Sequence, residues 1–222
     1  MTDNALSREV DAAYLFSSRA LLLLLEERHG LASHLSSLRK FFLLENGDFF
    51  IQFMDVAESE LCREVRDITV SRVQSLLQMA VQTSTLASDT HKDDLSCSFA
   101  SHNLIQHLHL IQTAGEGGSD AYSGLAGQDL KGMEAFTLDY RIGWPLSIVL
   151  SRRAITKYQL LSRLLYFSKH VERRVLSSWM EHQSTKKVNV RVNLGASYCL
   201  RHRMLHFLQN FVYYMTLEVS AQ

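Results

Sequence analysis

The sequence contains few of the residues that interrupt helices. Its 222 residues include one proline, Pro145, and ten glycines. Both residue types destabilise helix interiors, so their scarcity favours a mostly helical chain. Cysteine is also rare: Cys62, Cys97 and Cys199 lie far apart and form no CxxC pair. This usage is typical of a reducing compartment, in which cysteines act as small apolar residues.

Long apolar runs and an overall charge are missing as well. The apolar run at 20–25 has six residues, whereas a helix that spans a bilayer needs about 20. The formal net charge is zero, whereas nucleic-acid-binding domains are usually basic. We therefore expect neither a membrane nor a nucleic acid as a partner.

The zero total hides two parts of opposite charge. Residues 1–145 carry 11 Lys and Arg against 20 Asp and Glu, a net charge of −9. Residues 146–222 carry 12 against 3, a net charge of +9. An excess of this size favours an acidic partner for the C-terminal part. The border between the two parts is the step from Trp144 to Pro145.

Apolar periodicity predicts the fold class. Apolar residues recur every three or four positions over most of the chain, which is typical of amphipathic helices. We predict an all-α fold, a helical bundle with a long central helix and at most a small two-stranded β ribbon. We divide the chain into three parts. Residues 1–87 form the N-terminal helices, and residues 88–145 form the small ribbon, a short helix and a flexible Gly-rich loop. Residues 146–222 form the long basic helix (151–183) and an aromatic-rich helix (194–219).

Two short alternating segments predict the ribbon: LSCSF at 95–99 and AFTLDY at 135–140. Such a ribbon needs helices packed on it to be stable. The residue before Pro145 is biased away from helical geometry, and proline suits the first turn of a helix. We therefore expect Trp144 and Pro145 to form a structural corner into the long helix, with the Trp144 ring anchored in the core.

Glycine marks the other expected breaks. Gly30 is expected to end the first helix, and Asp48, which follows Gly47, is expected to cap the third. Five glycines within 114–127 predict a flexible surface loop. A phosphate-binding P-loop is disfavoured there, because it needs a Lys in register after its glycines and this segment has none.

Two groups of histidines have spacings that resemble parts of metal sites: His202 with His206, and His102, His107 and His109 with Cys97. The zinc-hydrolase motif needs a Glu directly after its first His, and here that position is Arg203. His107 and His109, two apart on a helix, point to different faces. The sequence also lacks a GxSxG elbow and a catalytic cysteine signature. We expect no enzyme, no cofactor and no metal, and keep a His-dependent metalloenzyme as an alternative.

Three blocks of the sequence resemble one known family. The block at 138–173 reads LDYRIGWPLSIVLSRRAITKYQLLSRLLYFSKHVER. It resembles the most characteristic segment of the gamma-tubulin complex components, the family that includes the spindle-pole-body proteins of yeast. The blocks FFLLENGDFFIQFMDVAESEL at 41–61 and LRHRMLHFLQNFVYYMTLEV at 200–219 are similar to segments on either side of it.

The resemblance implies an all-helical, non-enzymatic scaffold whose C-terminal domain holds gamma-tubulin. The chain resembles a fragment of that domain, without the domain that mediates side-by-side assembly and without the last helices. The implied partners are gamma-tubulin and other components side by side. The implied role is microtubule nucleation at microtubule-organising centres, such as the spindle pole or centrosome, in the cytoplasm and cytoskeleton. The alternative is a generic helical adaptor for another acidic protein.

Three cations are expected to lie near gamma-tubulin: Arg152, Arg153 and Lys157, at the start of the long helix. Cations at a helix N-terminus are unfavourable with the helix dipole by about 0.3 to 1 kcal/mol each. Helix stability therefore does not explain their position, whereas an acidic partner does, and tubulins are acidic. The internal alternative is an ion pair between Arg152 or Arg153 and a carboxylate of the acidic part, such as Asp139.

Overall fold

The structure of the protein is a computed structural model, and it describes residues 3–114, 130–184 and 194–219. The predicted Gly-rich loop, apart from Ala114, and the polar segment at 185–193 lie outside the described residues. Within the described ranges, no helix combines the length and the apolar character that crossing a bilayer requires.

Helices make up most of the described chain. The α-helices are α1 (Asp3–His29), α2 (Leu31–Phe42), α3 (Gly47–Leu61), α4 (Val70–Thr83), α5 (Leu104–Ala114), α6 (Gly132–Ala135), α7 (Arg152–Ser184) and α8 (Leu194–Tyr213). A π-helical turn, Tyr214–Val219, continues α8. Short 3-10 turns lie at Val65–Asp67, Thr85–Ser88, Lys92–Asp94 and Leu146–Ile148. The all-α prediction is confirmed, and α7 begins and ends within one residue of the predicted long helix.

The predicted ribbon is also confirmed. Its strands are β1 (Leu95–Phe99) and β2 (Phe136–Tyr140), which pair antiparallel with Leu95 opposite Tyr140. The outer edge of β1 is satisfied by Gln74 of α4, whose amide bonds the Leu95 carbonyl at 3.2 Å and the Cys97 N–H at 2.8 Å. Unpaired edge groups would otherwise need water or another chain. The ribbon is therefore bound to α4 by side-chain hydrogen bonds to its backbone as well as by packing.

Aromatic side chains join the ribbon to the helices. Phe53 of α3 stacks on Phe136 of β2 with ring centroids 5.1 Å apart. Phe50 meets Tyr166 of α7 edge to face at 5.0 Å. The buried Tyr166 hydroxyl donates to the Phe41 carbonyl at 3.2 Å. This single core draws residues from all three parts of the predicted division, whose boundaries stay a prediction.

Asp48 does not cap α3 as predicted. The N-cap residue is Asn46, and its side chain makes no capping hydrogen bond. The Asp48 carboxylate instead accepts a hydrogen bond from the Thr85 N–H at 2.9 Å, and this bond is the main cause of its lowered pKa. Asp48 therefore fastens the start of α3 to a turn that lies 37 residues further along the chain.

The predicted burial of Trp144 is wrong. The Trp144 side chain is 83% exposed, whereas Pro145, Leu146 and Leu150 are buried. Trp144 and Pro145 form a turn that leads directly into the 3-10 turn, and in it Pro145 takes the inward position while Trp144 stays on the outside. Pro145 also does not begin the long helix. It precedes the 3-10 turn at Leu146–Ile148, and α7 starts several residues later.

Candidate protein-binding surface

The first turn of α7 is fixed by Ser151 and Ile155. The Ser151 carbonyl accepts from the Ile155 N–H at 3.1 Å, and the Ser151 hydroxyl accepts from the Ala154 N–H at 3.4 Å. A serine in this position satisfies backbone groups that a helix start leaves open. Ile155 is buried in the core. With Ile155 facing inward, Arg152 and Arg153 lie on the solvent side of the helix.

Arg152 pairs with Asp139, as the internal alternative predicts. Its guanidinium makes two hydrogen bonds to the carboxylate, at 2.7 Å and 3.3 Å. Gln159 adds a third contact to Asp139 at 3.0 Å. The Arg152 side chain is still 68% exposed, so solvent screening keeps the pair weak. Arg152 thus joins α7 to β2, while much of its side chain remains accessible to solvent.

Arg153 and Lys157 differ from Arg152. Both are exposed, and neither has an ion-pair or hydrogen-bond partner among the described residues. Four residues apart on a helix, they share one face. Two unpaired cations on one face form a positive surface that no carboxylate of the described chain neutralises.

Most other cations of α7 make hydrogen bonds or ion pairs within the chain. Arg163 is buried and donates to the carbonyls of His102 and Glu134, both at 2.8 Å. Lys169 pairs with Glu172 at 2.9 Å, and Arg173 pairs with Asp55. Among the residues that the structure describes, the cations of α7 without an ion-pair or hydrogen-bond partner are therefore Arg153 and Lys157 near its start and Arg174 in its second half.

An apolar patch lies in the chain just before these cations. Trp144, Ile148 and Val149 are all exposed, while Leu146, which lies among them, and Leu150, which follows them, face the core. An exposed tryptophan is uncommon, because burying its ring is strongly favourable. We call these three exposed residues together with Arg153 and Lys157 the corner surface.

The two histidine groups considered in the sequence are not gathered into a set of three close ligands among the residues that the structure describes. Among the described residues, one group of three potential ligands is close enough to hold an ion, and it consists of His34, His91 and Asp94. This group could not be predicted from the sequence, because His34 and His91 are 57 positions apart and no local spacing joins them.

Comparison with known proteins places the chain in a family. The family model described as gamma tubulin complex component C-terminal matches residues 31–222. Gamma-tubulin complex component 2 of Mus musculus is 37% identical over 224 residues, covering 99% of this chain and 25% of the relative. The Arabidopsis thaliana protein of that name is 36% identical, and the match covers 95% of this chain and 30% of the relative.

A fungal relative agrees with these two. Spindle pole body component alp4 of Schizosaccharomyces pombe is 30% identical over 262 residues, covering 98% of this chain and 33% of the relative. The chain thus spans about a quarter to a third of the length of the relatives it matches. The family match covers every described element except α1. The chain belongs to the gamma-tubulin complex component family, through that family's C-terminal domain.

Proposed function

We propose that the chain is a non-enzymatic scaffold that binds gamma-tubulin and supports microtubule nucleation at microtubule-organising centres of the cytoskeleton, such as the spindle pole. The observation that carries this proposal is the family match over residues 31–222. The relatives' names support it, since they are gamma-tubulin complex components and a spindle pole body component. A generic adaptor for other acidic proteins is disfavoured by the same match.

The mechanism is positional. Several such scaffolds side by side hold gamma-tubulins in a fixed arrangement, and that lowers the entropic cost of bringing the first subunits together. No bond is made or broken by the scaffold in this scheme. The side-by-side partners are other members of the family.

The corner surface is the proposed contact with gamma-tubulin. Arg153 and Lys157 support it, because they are exposed and lack partners among the described residues. Trp144 supports it as well, since tryptophan and arginine are enriched among the residues that dominate binding energy at interfaces. Arg152 has a smaller part, because its charge is already shared with Asp139.

Charge reversal tests the contact. We expect Arg153→Glu with Lys157→Glu to weaken gamma-tubulin binding by about tenfold or more, equivalent to about 1.4 kcal/mol. Thermal stability is expected to stay nearly unchanged, because both side chains are exposed. The salt dependence of binding is expected to decrease, since rim charges act mainly through long-range attraction.

A matched control separates position from net charge. Arg19→Glu with Arg203→Glu makes the same change in charge at exposed positions on α1 and α8. Equal weakening by both double variants would assign the effect to net charge and reject the corner surface. Wild-type chain that binds gamma-tubulin no better than another acidic protein would reject the function itself.

A further inference from the structure

A cluster of titratable side chains lies between α2 and the 3-10 turn that precedes β1. One potential ligand atom from each of His34, His91 and Asp94 lies within 4.8 Å of the others. The two imidazole rings stack, with centroids 3.6 Å apart and planes 24° from parallel. His91 Nδ1 is 3.8 Å from Asp94 Oδ2. Two nitrogens and one carboxylate are thus gathered from separate parts of the chain.

Each histidine has a hydrogen-bond partner on one ring nitrogen. His34 Nδ1 is 2.8 Å from the Tyr140 hydroxyl, and His91 Nε2 is 3.1 Å from the Ser33 hydroxyl. Metal-binding histidines almost always make such a bond through the nitrogen that does not bind the metal. The bond orients the ring and selects the tautomer. His34 Nε2 and His91 Nδ1 are then the nitrogens available to an ion.

The electrostatic surroundings suit a cation. The buried Asp89 carboxylate accepts from the His91 backbone N–H at 3.0 Å and holds the segment that carries His91. Lys40 pairs with Asp89 at 3.1 Å and leaves the Asp94 carboxylate as the acidic group beside the rings.

We propose that His34, His91 and Asp94 bind one divalent transition-metal ion, with Zn²⁺ as the preferred ion and a water as fourth ligand. Imidazole and carboxylate ligands suit zinc, which binds four ligands in a tetrahedral arrangement. Zinc–ligand distances of about 2.0 to 2.2 Å require the three ligand atoms to approach one another more closely than they now do. The stacked rings must therefore turn toward a shared point, and partial exposure of all three side chains leaves room for this movement.

The proposed ion is a structural clip. It joins α2 to the 3-10 turn at Lys92–Asp94. Tyr140, whose hydroxyl hydrogen-bonds the His34 ring, connects the site to β2 as well. An unfolded chain does not bring these ligands together, so binding adds to the stability of the folded state. The site is independent of the corner surface and of the proposed function.

Zinc titration of the full 222-residue chain tests the proposal. Protein treated with EDTA and desalted is titrated with ZnCl₂ by calorimetry, and its melting temperature Tm is followed in parallel. We expect one equivalent to bind. At a zinc concentration 100-fold above Kd, Tm should rise by about 5 to 10 °C.

Variants identify the ligands. His91→Ala and Asp94→Asn are each expected to abolish saturable binding and the Tm rise, while Tyr140→Phe should weaken affinity by about 10- to 100-fold. His29→Ala removes an exposed histidine of α1 and should change neither readout. Far-UV circular dichroism establishes that each variant is folded, and Asp94→Asn preserves side-chain shape if His91→Ala does not fold.

Two results would overturn the proposal. One is wild-type protein that binds no stoichiometric zinc. The other is folded Asp94→Asn or His91→Ala protein that keeps wild-type affinity, which would assign zinc binding to other side chains.

Discussion

The two ends of the described chain differ sharply from its middle. Of the α1 side chains described, only Leu25 is buried, and of those in α8 only Val212 is. In α3, by contrast, seven of fifteen residues are buried, among them Phe49 and Phe53. All three helices are rich in apolar residues. Apolar composition alone therefore does not measure what a helix contributes to the core.

The difference has an energetic meaning. Apolar surface stabilises a fold only when it leaves water, by roughly 25 cal/mol for each Å² buried. The middle of the chain, from α2 to the first half of α7, contains nearly all such burial. Helices α1 and α8 leave residues such as Phe16 and Phe207 largely in water. Their contribution to the free energy of unfolding is small, and contiguous exposed apolar residues mark contact surfaces.

The largest expected effect comes from equal truncation in the two regions. Phe53 is fully buried, and Phe53→Ala should lower the free energy of unfolding by about 3 to 5 kcal/mol through lost packing and a cavity. Phe16 is 77% exposed, and Phe16→Ala should change the same quantity by less than about 0.5 kcal/mol. Urea unfolding followed by circular dichroism measures both. Similar losses in the two variants would mean that α1 is packed in solution.

Alanine substitution at two glycines, Gly132 and Gly47, compares a crowded position with an open one, with a smaller expected effect on the free energy of unfolding. A Cβ added at Gly132 would lie 2.3 Å from the Ile68 side chain and 2.9 Å from the Leu61 carbonyl oxygen. Gly132→Ala should therefore lower the free energy of unfolding by about 1 to 3 kcal/mol through overpacking. A Cβ at Gly47 meets nothing within 4 Å, and Gly47→Ala should be neutral or stabilising because alanine favours helices. Urea midpoints compare the two, and equal midpoints would contradict the close approach at Gly132.

The helices and the ribbon could be predicted from the sequence because their signals are local. Period 3.6 along α7 and alternation in β1 are carried by neighbouring residues. The internal ion pair of Arg152 with Asp139 was also foreseeable, because opposite charges lie on either side of the corner. These features need no knowledge of distant contacts.

The remaining features depend on which distant segments meet. The Asp48 carboxylate turns to Thr85 and not to its own helix, and His34 reaches Tyr140, 106 positions away. The exposure of Trp144 depends on Pro145 taking the inward position at the corner. No residue spacing encodes such choices, so the sequence could predict the positive charge at the start of α7 but not which side chains surround it.

Acid should weaken the middle of the molecule through His170. Burial lowers the pKa of this histidine, Glu58 opposes the shift, and Arg174 and Arg173 add to it. A histidine whose folded pKa lies below its unfolded value of about 6.5 stabilises the fold above that pH and loses this contribution as pH falls. We expect the free energy of unfolding to decrease below about pH 6.5. His34 and His107, whose pKa values are also lowered, share in this decrease.

His170→Gln isolates its part of the pH dependence. The variant should show a smaller decrease between neutral and acidic pH than the wild type, measured by urea unfolding at each pH. His206→Gln, at an exposed position of α8, is the matched control for the loss of an imidazole. An unchanged slope in His170→Gln would mean that this side chain is protonated equally in the folded and unfolded states.

The smallest expected effect on stability is at Trp144, which lies beside the core but behaves as part of the exposed region. Trp144→Ala should change the free energy of unfolding by less than about 0.5 kcal/mol, because the ring is 83% exposed. Leu146→Ala, two positions away and buried, should lower it by about 2 to 5 kcal/mol. The proposed corner surface predicts the reverse order for gamma-tubulin affinity per folded molecule, with Trp144→Ala weakening binding and Leu146→Ala leaving it nearly unchanged. A large loss of stability in Trp144→Ala would mean that the ring is buried in solution and would contradict its proposed part in the contact with gamma-tubulin.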